Sequence, residues 1–138
     1  MKNRHLALAL AAMLLSTASV SARDDGGKKY SGPPDIVQAL PKYCWWLYMD
    51  NIPNTDEYNI FYCGASTNHY CPGLVKMKEA ERESNLARRF RLWEIAKGEM
   101  QYTISHTPQD CWLQPGAKLN LARIQMEMDT LKIQLRRR

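Results

Sequence analysis

Residues 63–75 read CGASTNHYCPGLV, and this stretch decides how the rest of the chain is interpreted. Cys63 and Cys71 enclose His69, and a Pro-Gly pair follows at the start of a helical pattern. Two interpretations are open: a metal or redox site with reduced thiols, or a crosslinked corner that begins a helix. The choice depends first on the compartment, because disulfides persist in oxidising compartments and are rare in the cytosol.

The amino-terminal segment indicates export. Residues 1–22 read MKNRHLALALAAMLLSTASVSA, with a basic start, a short apolar run and small residues at the end. This order is typical of a secretory signal peptide, and the apolar run is too short to span a bilayer. We therefore expect cleavage after Ala22 and a periplasmic or secreted mature protein, without stable membrane insertion after cleavage.

The mature chain is small and mildly basic. The 138-residue sequence has a net charge of +5, and removal of Lys2 and Arg4 with the signal peptide leaves +3. This excess is too mild to indicate nucleic-acid binding. Residues 23–34 are rich in charge, Gly and Pro, which predicts a flexible leader. Residues 35–138 are then expected to form a single domain.

All four cysteines, Cys44, Cys63, Cys71 and Cys111, lie in the mature chain. An even number in a small exported protein indicates two disulfides. The four residues allow three pairings, and the sequence does not choose between them. We favour Cys44 with Cys71, which would tie an aromatic segment to the following helix, and Cys63 with Cys111. Each closed loop would stabilise the fold by about 2–4 kcal/mol.

Apolar residues recur at helical spacing in the second half of the chain, and no alternating strand pattern of comparable length is found. One continuous stripe consists of Leu86, Phe90, Trp93, Ala96, Met100 and Ile104. A second stripe consists of Ala117, Leu121, Ile124, Met128, Leu131 and Leu135, and its face is expected to be broadened by Leu119, Ala122 and Met126. The fold class is therefore predicted to be all-α, a small helical bundle held by disulfides.

Shorter elements and helix ends are predicted from capping residues. Asp35 is suited to cap a short helix, and Pro41 is suited to the first turn of a second one. Ser84 or Asn85 is expected to cap the long helix that follows. Residues 51–68 are expected to form a long irregular connection. A disulfide at Cys63 would keep this connection ordered.

The reactive interpretations of the opening stretch are weaker than the disulfide interpretation. A metal site would use Cys63, His69 and Cys71 with Cys111 or His106, but seven residues separate Cys63 from Cys71. In zinc knuckles only two to four residues separate paired cysteine ligands, and their thiolates must stay reduced. A Cys71 nucleophile with His69 as base is disfavoured because side chains two residues apart on a helix point apart. We predict no catalytic residue, no metal site and no cofactor.

The helices resemble those of short exported bacterial proteins of the tetratricopeptide repeat (TPR) type. Residues 96–108, AKGEMQYTISHTP, are similar to the second helix of a TPR repeat, with its Ala, large apolar, small and Pro positions at Ala96, Met100, Thr103 and Pro108. Residues 120–129, NLARIQMEMD, look like the first helix of a following repeat. The resemblance covers about residues 68–129 and implies a TPR-like helical hairpin whose concave surface binds a peptide or a partner protein.

We therefore expect an exported, non-enzymatic interaction protein with a protein partner in the cell envelope. The predicted contact residues are Trp45, Trp46, Tyr48 and Trp112, together with the last helix, which could also pair with a second copy of the chain. One alternative is a small envelope protein that binds a metal or ligand through His69 and the cysteines. Another is an inhibitor or immunity-type protein that plugs an enzyme's cleft.

Overall fold

The computed structural model describes residues 30–52 and 63–137, and in these two ranges the chain is helical without any strand. This confirms the all-α prediction. The predicted signal peptide and the middle of the predicted irregular connection, residues 53–62, lie outside the described residues. Within the described ranges, no helix combines the length and the apolar character needed to cross a membrane.

The described ranges contain five α-helices: α1 Pro34–Gln38, α2 Lys42–Trp45, α3 Tyr70–Arg82, α4 Leu86–His106 and α5 Gln114–Arg136. A 3₁₀ helix, Ala65–His69, runs directly into α3, so the end of the predicted irregular connection is ordered. Both α3 and α5 pack along α4, which makes α4 the central helix of the domain. The short helix α1 packs on α3 and on α2.

The ends of α4 are fixed by side chains. Asn85 caps the amino end, as predicted, because its side chain accepts a hydrogen bond of 3.0 Å from the backbone N–H of Arg88. At the carboxyl end, the buried Gln114 donates through Nε2 to the carbonyl oxygens of Ile104, at 2.9 Å, and Thr107, at 3.2 Å. The last carbonyls of a helix have no partner within it. Gln114 therefore joins the end of α4 to the start of α5.

The start of α1 differs from the prediction. Pro33 occupies the capping position, and no side chain caps the helix. Asp35 lies in the first turn instead, where its carboxylate pairs with the guanidinium of Arg82 at the end of α3. A carboxylate in the first turn is favourable because of the positive helix end.

The core lies between α4 and the elements on its two sides. In the middle of the α4 stripe, Trp93, Ala96 and Met100 are buried, and Thr103 joins them. The α5 stripe is buried at Ala117, Ile124, Met128 and Leu131, half-buried at Leu121 and exposed at Leu135. The predicted broadening of this face is wrong, because Leu119, Ala122 and Met126 lie on the outer side of α5, exposed to solvent.

Both disulfides have the favoured pairing. Cys44 bonds to Cys71 and Cys63 bonds to Cys111, with sequence separations of 27 and 48 residues. The first bond joins α2 to the first turn of α3, and both of its cysteines are fully buried. The second joins Cys63, two residues before the 3₁₀ helix, to Cys111 in the loop between α4 and α5.

The last part of the predicted flexible leader packs on the domain. The backbone N–H of Tyr30 donates to the carbonyl oxygen of Leu47 at 3.0 Å, and the rings of Tyr30 and Tyr48 lie 5.8 Å apart. Gly32 lies close to Val37 and Tyr48. Tyr30 and Gly32 of the predicted leader are therefore part of the packed domain.

Two glycines in helices predict opposite effects of the same substitution. We expect Gly98→Ala in the exposed part of α4 to raise the free energy of unfolding by about 0.5–1 kcal/mol, because alanine restricts the unfolded chain and favours helix. A Cβ there meets no atom within 4 Å. At Gly73 it would lie 2.7 Å from the methyl carbon of Met100 and 3.2 Å from Cβ of Glu99. We expect Gly73→Ala to destabilise.

Thermal unfolding of both variants beside the unsubstituted protein measures this difference. The close packing of α3 on α4 would be contradicted if Gly73→Ala stabilised the protein as much as Gly98→Ala.

The two disulfides are expected to differ in their resistance to reductant. Cys63 is half-buried, whereas Cys44 and Cys71 are 0% exposed. Because exchange requires a thiolate to reach a sulfur atom, mild reduction of the folded protein should open Cys63–Cys111 first. Alkylation followed by peptide mass spectrometry measures the order, and earlier labelling of Cys44 and Cys71 would contradict the buried position of their bond.

Candidate functional site

The structure separates the four predicted contact residues into different environments. Tyr48 is 6% exposed and belongs to the core, where the ring of Tyr30 packs against its ring, so little of this side chain is accessible to a partner. Trp45 and Trp46 are half-buried at the end of α2. The indole N–H of Trp45 donates to the carbonyl oxygen of Leu40 at 3.1 Å. Trp112 is 49% exposed, next to the disulfide residue Cys111.

Trp112 belongs to a row of aromatic rings. Its ring meets the ring of Tyr43 edge to face, with centroids 4.9 Å apart, and Tyr43 in turn lies 6.4 Å from Tyr70. Edge-to-face pairs are worth about 0.5–1.5 kcal/mol beyond the area they bury. The tryptophan is therefore held against the domain on one side and open to solvent on the other.

Tyr43 and Tyr70 were not among the predicted site residues. Tyr43 appears in the sequence as one of a run of large apolar residues, and Tyr70 as part of the corner before α3. No local pattern indicates that these two residues meet Trp112, because α2, α3 and the α4–α5 loop come together only through the disulfides and helix packing.

A groove with a cavity of about 230 Å³ adjoins the aromatic row at Tyr70. One wall is formed by the corner between α1 and α2, the second by α3 and the third by α5. Its apolar lining includes Leu40, Leu74 and Met77, and its polar lining includes Tyr70, Lys78, Glu81, Asn120 and Arg123. Drug-sized ligands occupy pockets of about 300–1,000 Å³, so this groove is suited to a single large side chain.

Polar contacts hold α5 against α3 along this groove. Glu81 of α3 accepts from Lys78 at 3.0 Å and from Arg123 of α5 at 2.8 Å. Asn120 of α5 donates to the hydroxyl oxygen of Tyr70 at 3.3 Å. Two cations and one carboxylate give this edge of the groove a net positive charge, which favours an acidic group on a ligand.

Two phenols are kept neutral, that of Tyr43 in the aromatic row and that of Tyr48 in the core. Burial is the main cause that raises the pKa of Tyr43 above its usual value, and the adjacent Tyr70 adds to it. Burial also raises the pKa of Tyr48, and the neighbouring Tyr30 adds to it. Desolvation disfavours a phenolate, so these hydroxyl groups act as uncharged donors and acceptors.

His69 packs at the corner before α3. Its Nδ1 lies 2.6 Å from Oε2 of Glu99, and its ring centroid lies 4.0 Å from that of Tyr102. Tyr102 stacks in turn on His106 at 3.9 Å. This stack joins the 3₁₀ helix to α4, so its position is explained by packing.

The metal-site and nucleophile interpretations of residues 63–75 both need free cysteine thiols, and the structure has none there. Cys63 and Cys71 are both oxidised, to Cys111 and Cys44 respectively, and a sulfur in a disulfide is neither a thiolate ligand nor a nucleophile. In the part of the chain that the structure describes, no group of three or more His, Cys, Asp or Glu side chains is placed to hold a metal ion.

The buried phenols predict a loss of stability at alkaline pH. The pKa of Tyr48 is higher in the folded protein than in the unfolded chain, where it is about 10. The stabilisation that the neutral phenol contributes is therefore fully present below the unfolded pKa and is lost as the pH rises through the folded pKa. We expect Tyr48→Phe to flatten this decline in the free energy of unfolding. Urea unfolding between neutral pH and pH above 10 measures it, and an unchanged slope in the variant would contradict the buried phenol.

Comparison of the chain with family models, with curated proteins and with solved structures finds no match. The resemblance to TPR repeats is not tested by these comparisons and stays a prediction. Only the geometry of this chain's own residues then bears on its function.

Proposed function

We propose that the mature chain is an exported, non-enzymatic interaction protein that binds a segment of an envelope protein with Trp112 and the adjoining groove. The half-exposed position of Trp112 on the ring of Tyr43 is the observation that carries this proposal. Tryptophan is among the residues that contribute most to binding at protein interfaces. A ring already fixed by a neighbour loses little conformational entropy when a partner covers it.

The groove gives the partner segment a second point of attachment. An apolar side chain would enter between Leu40, Leu74 and Met77, while Trp112 covers the neighbouring residue of the segment. The positive edge at Lys78 and Arg123 favours a segment that also carries an acidic residue. The proposed ligand is therefore a short peptide segment with one large apolar and one acidic side chain.

The TPR resemblance supports the same surface. The resemblance makes α4 a second helix, through residues 96–108, and α5 the first helix of a following repeat, through residues 120–129. We infer that α3, which precedes α4, takes the place of the first helix before it, so the concave side would be the one shared by α3 and α5. The groove lies between these two helices. The corner at Leu40 and Pro41 closes one side of it, which limits the surface that a partner can reach.

Export is proposed on two grounds. The signal peptide predicted over residues 1–22 directs the chain out of the cytosol, and two disulfides require a compartment in which thiols are oxidised. The alternative of metal binding through His69 and the cysteines is disfavoured because its thiolate ligands are consumed. An inhibitor-type function uses the same surface and differs only in the partner, so identification of the partner decides between the two.

Site-specific photo-crosslinking in intact cells tests the proposed surface. A photoreactive residue at position 112 is expected to crosslink one defined envelope protein. The matched control places it at Ile95, which is also exposed, at 40%, but lies on α4 away from the groove. Met77→Glu, which puts a charge into the apolar lining, should abolish the crosslink from position 112.

Two results would count against the proposal. One is equal crosslinking from positions 112 and 95, and the other is a crosslink at 112 that persists in the Met77→Glu protein. Because Met77 is 3% exposed, near-ultraviolet circular dichroism must show that the variant is folded. If it is not, Leu74→Glu, in the half-buried part of the same lining, replaces it.

A further inference from the structure

The helix α5 has an apolar stripe on each of two opposite sides. Ala117, Ile124 and Leu131 follow at intervals of seven and are buried against the domain. Leu119, Met126 and Ile133 follow at the same interval, two residues later, and are 72%, 72% and 52% exposed. A shift of two residues turns a side chain by about 200° around a helix, so this second set, the outer stripe, points away from the core.

Basic residues border the outer stripe at both of its ends. The sequences KLNLAR, residues 118–123, and KIQLRR, residues 132–137, place a Lys directly before a stripe residue and an Arg four residues after it. Over residues 114–137 there are five Lys and Arg against two carboxylates. One of the two, Asp129, accepts a hydrogen bond from Lys132 at 3.1 Å. Arg123 in addition pairs with Glu81 of α3 at 2.8 Å. Five cations against these three carboxylates leave a net charge of +2 around the stripe.

These charges argue against a second copy of the chain as the occupant. In a parallel pair in register, Lys118 would face Arg123 of the other copy, and Lys132 would face Arg137. In an antiparallel pair with Leu119 opposite Ile133, the two lysines would face each other. Like charges beside a helical seam oppose pairing. Full overlap of two outer stripes is thus unfavourable in both directions.

We propose that the outer stripe of α5 binds the surface of an anionic lipid bilayer. The three stripe residues lie along one line of about 21 Å at 1.5 Å per residue, which suits a flat surface. Helices that lie in a membrane interface combine such an apolar line with Lys and Arg on its borders, and anionic headgroups attract the cations. The helix would lie on the membrane without crossing it and leave Trp112 and the apolar lining of the groove to the protein partner, with Arg123 at the edge that the two surfaces share.

Co-sedimentation of the mature protein with vesicles tests the proposal. We expect binding to vesicles that contain phosphatidylglycerol, little binding to pure phosphatidylcholine vesicles, and release in about 1 M salt, where the screening length falls to about 3 Å. Met126→Glu should weaken the binding at least about tenfold, because it places a carboxylate in the apolar line. Ile95→Glu is the matched control, since it makes the same kind of change at an exposed position of α4 and should leave the binding unchanged.

Several outcomes would overturn the proposal. They are no binding of the unsubstituted protein to anionic vesicles, equal binding to phosphatidylcholine, and equal losses for the two variants. Sedimentation equilibrium provides a further contradicting outcome. If the unsubstituted protein is a dimer and Met126→Glu converts it to a monomer, the outer stripe binds a second copy of the chain. Because Met126 is mostly exposed, its substitution leaves the core intact, and circular dichroism verifies the fold.

Discussion

The buried bond between Cys44 and Cys71 is the constraint on which the amino-terminal half depends. Helices α1 and α2 have five and four residues, whereas isolated helices shorter than about 12–15 residues are marginal in water. The crosslink holds α2 against the first turn of α3, and in the chain-entropy model a closed loop of 27 residues stabilises the fold by about 3.5 kcal/mol. Without it, Leu47 and Tyr48 would lose the crosslink that fixes α2 just before them in the chain.

The position of this crosslink also creates the candidate site. It brings Tyr43, the residue before Cys44, onto Tyr70, the residue before Cys71. The second disulfide ends at Cys111, beside Trp112, whose ring completes the aromatic row on Tyr43. Both crosslinks thus place an aromatic residue next to a bonded cysteine at one side of the domain, so that the stability of the fold and the geometry of the surface have the same cause.

A small helical domain must also cover the ends of its helix stack. Stacked repeats normally need terminal caps with a polar outer face, because each unit buries its apolar side on a neighbour. The amino-terminal segment covers α3 with Ile36 and Val37, both buried. At the other end α5 has no cover within the described residues, and Leu119 and Met126 remain exposed. This asymmetry gives the domain one closed end and one end that is open to a further surface.

The sequence by itself determined the helical class, the approximate extents of α4 and α5 and a cap of α4 at Ser84 or Asn85, because periodicity and capping are local properties. The structure chose Asn85. The disulfide pairing agreed with the one that was favoured, although four cysteines leave three choices open. Only the tertiary structure decided that Tyr48 is core while Trp112 is exposed, and that Leu119 and Met126 face outward. A run of apolar residues does not indicate which of its side chains are buried. Burial depends on which neighbour covers each side of a helix, and contacts between residues far apart in the chain fix that neighbour.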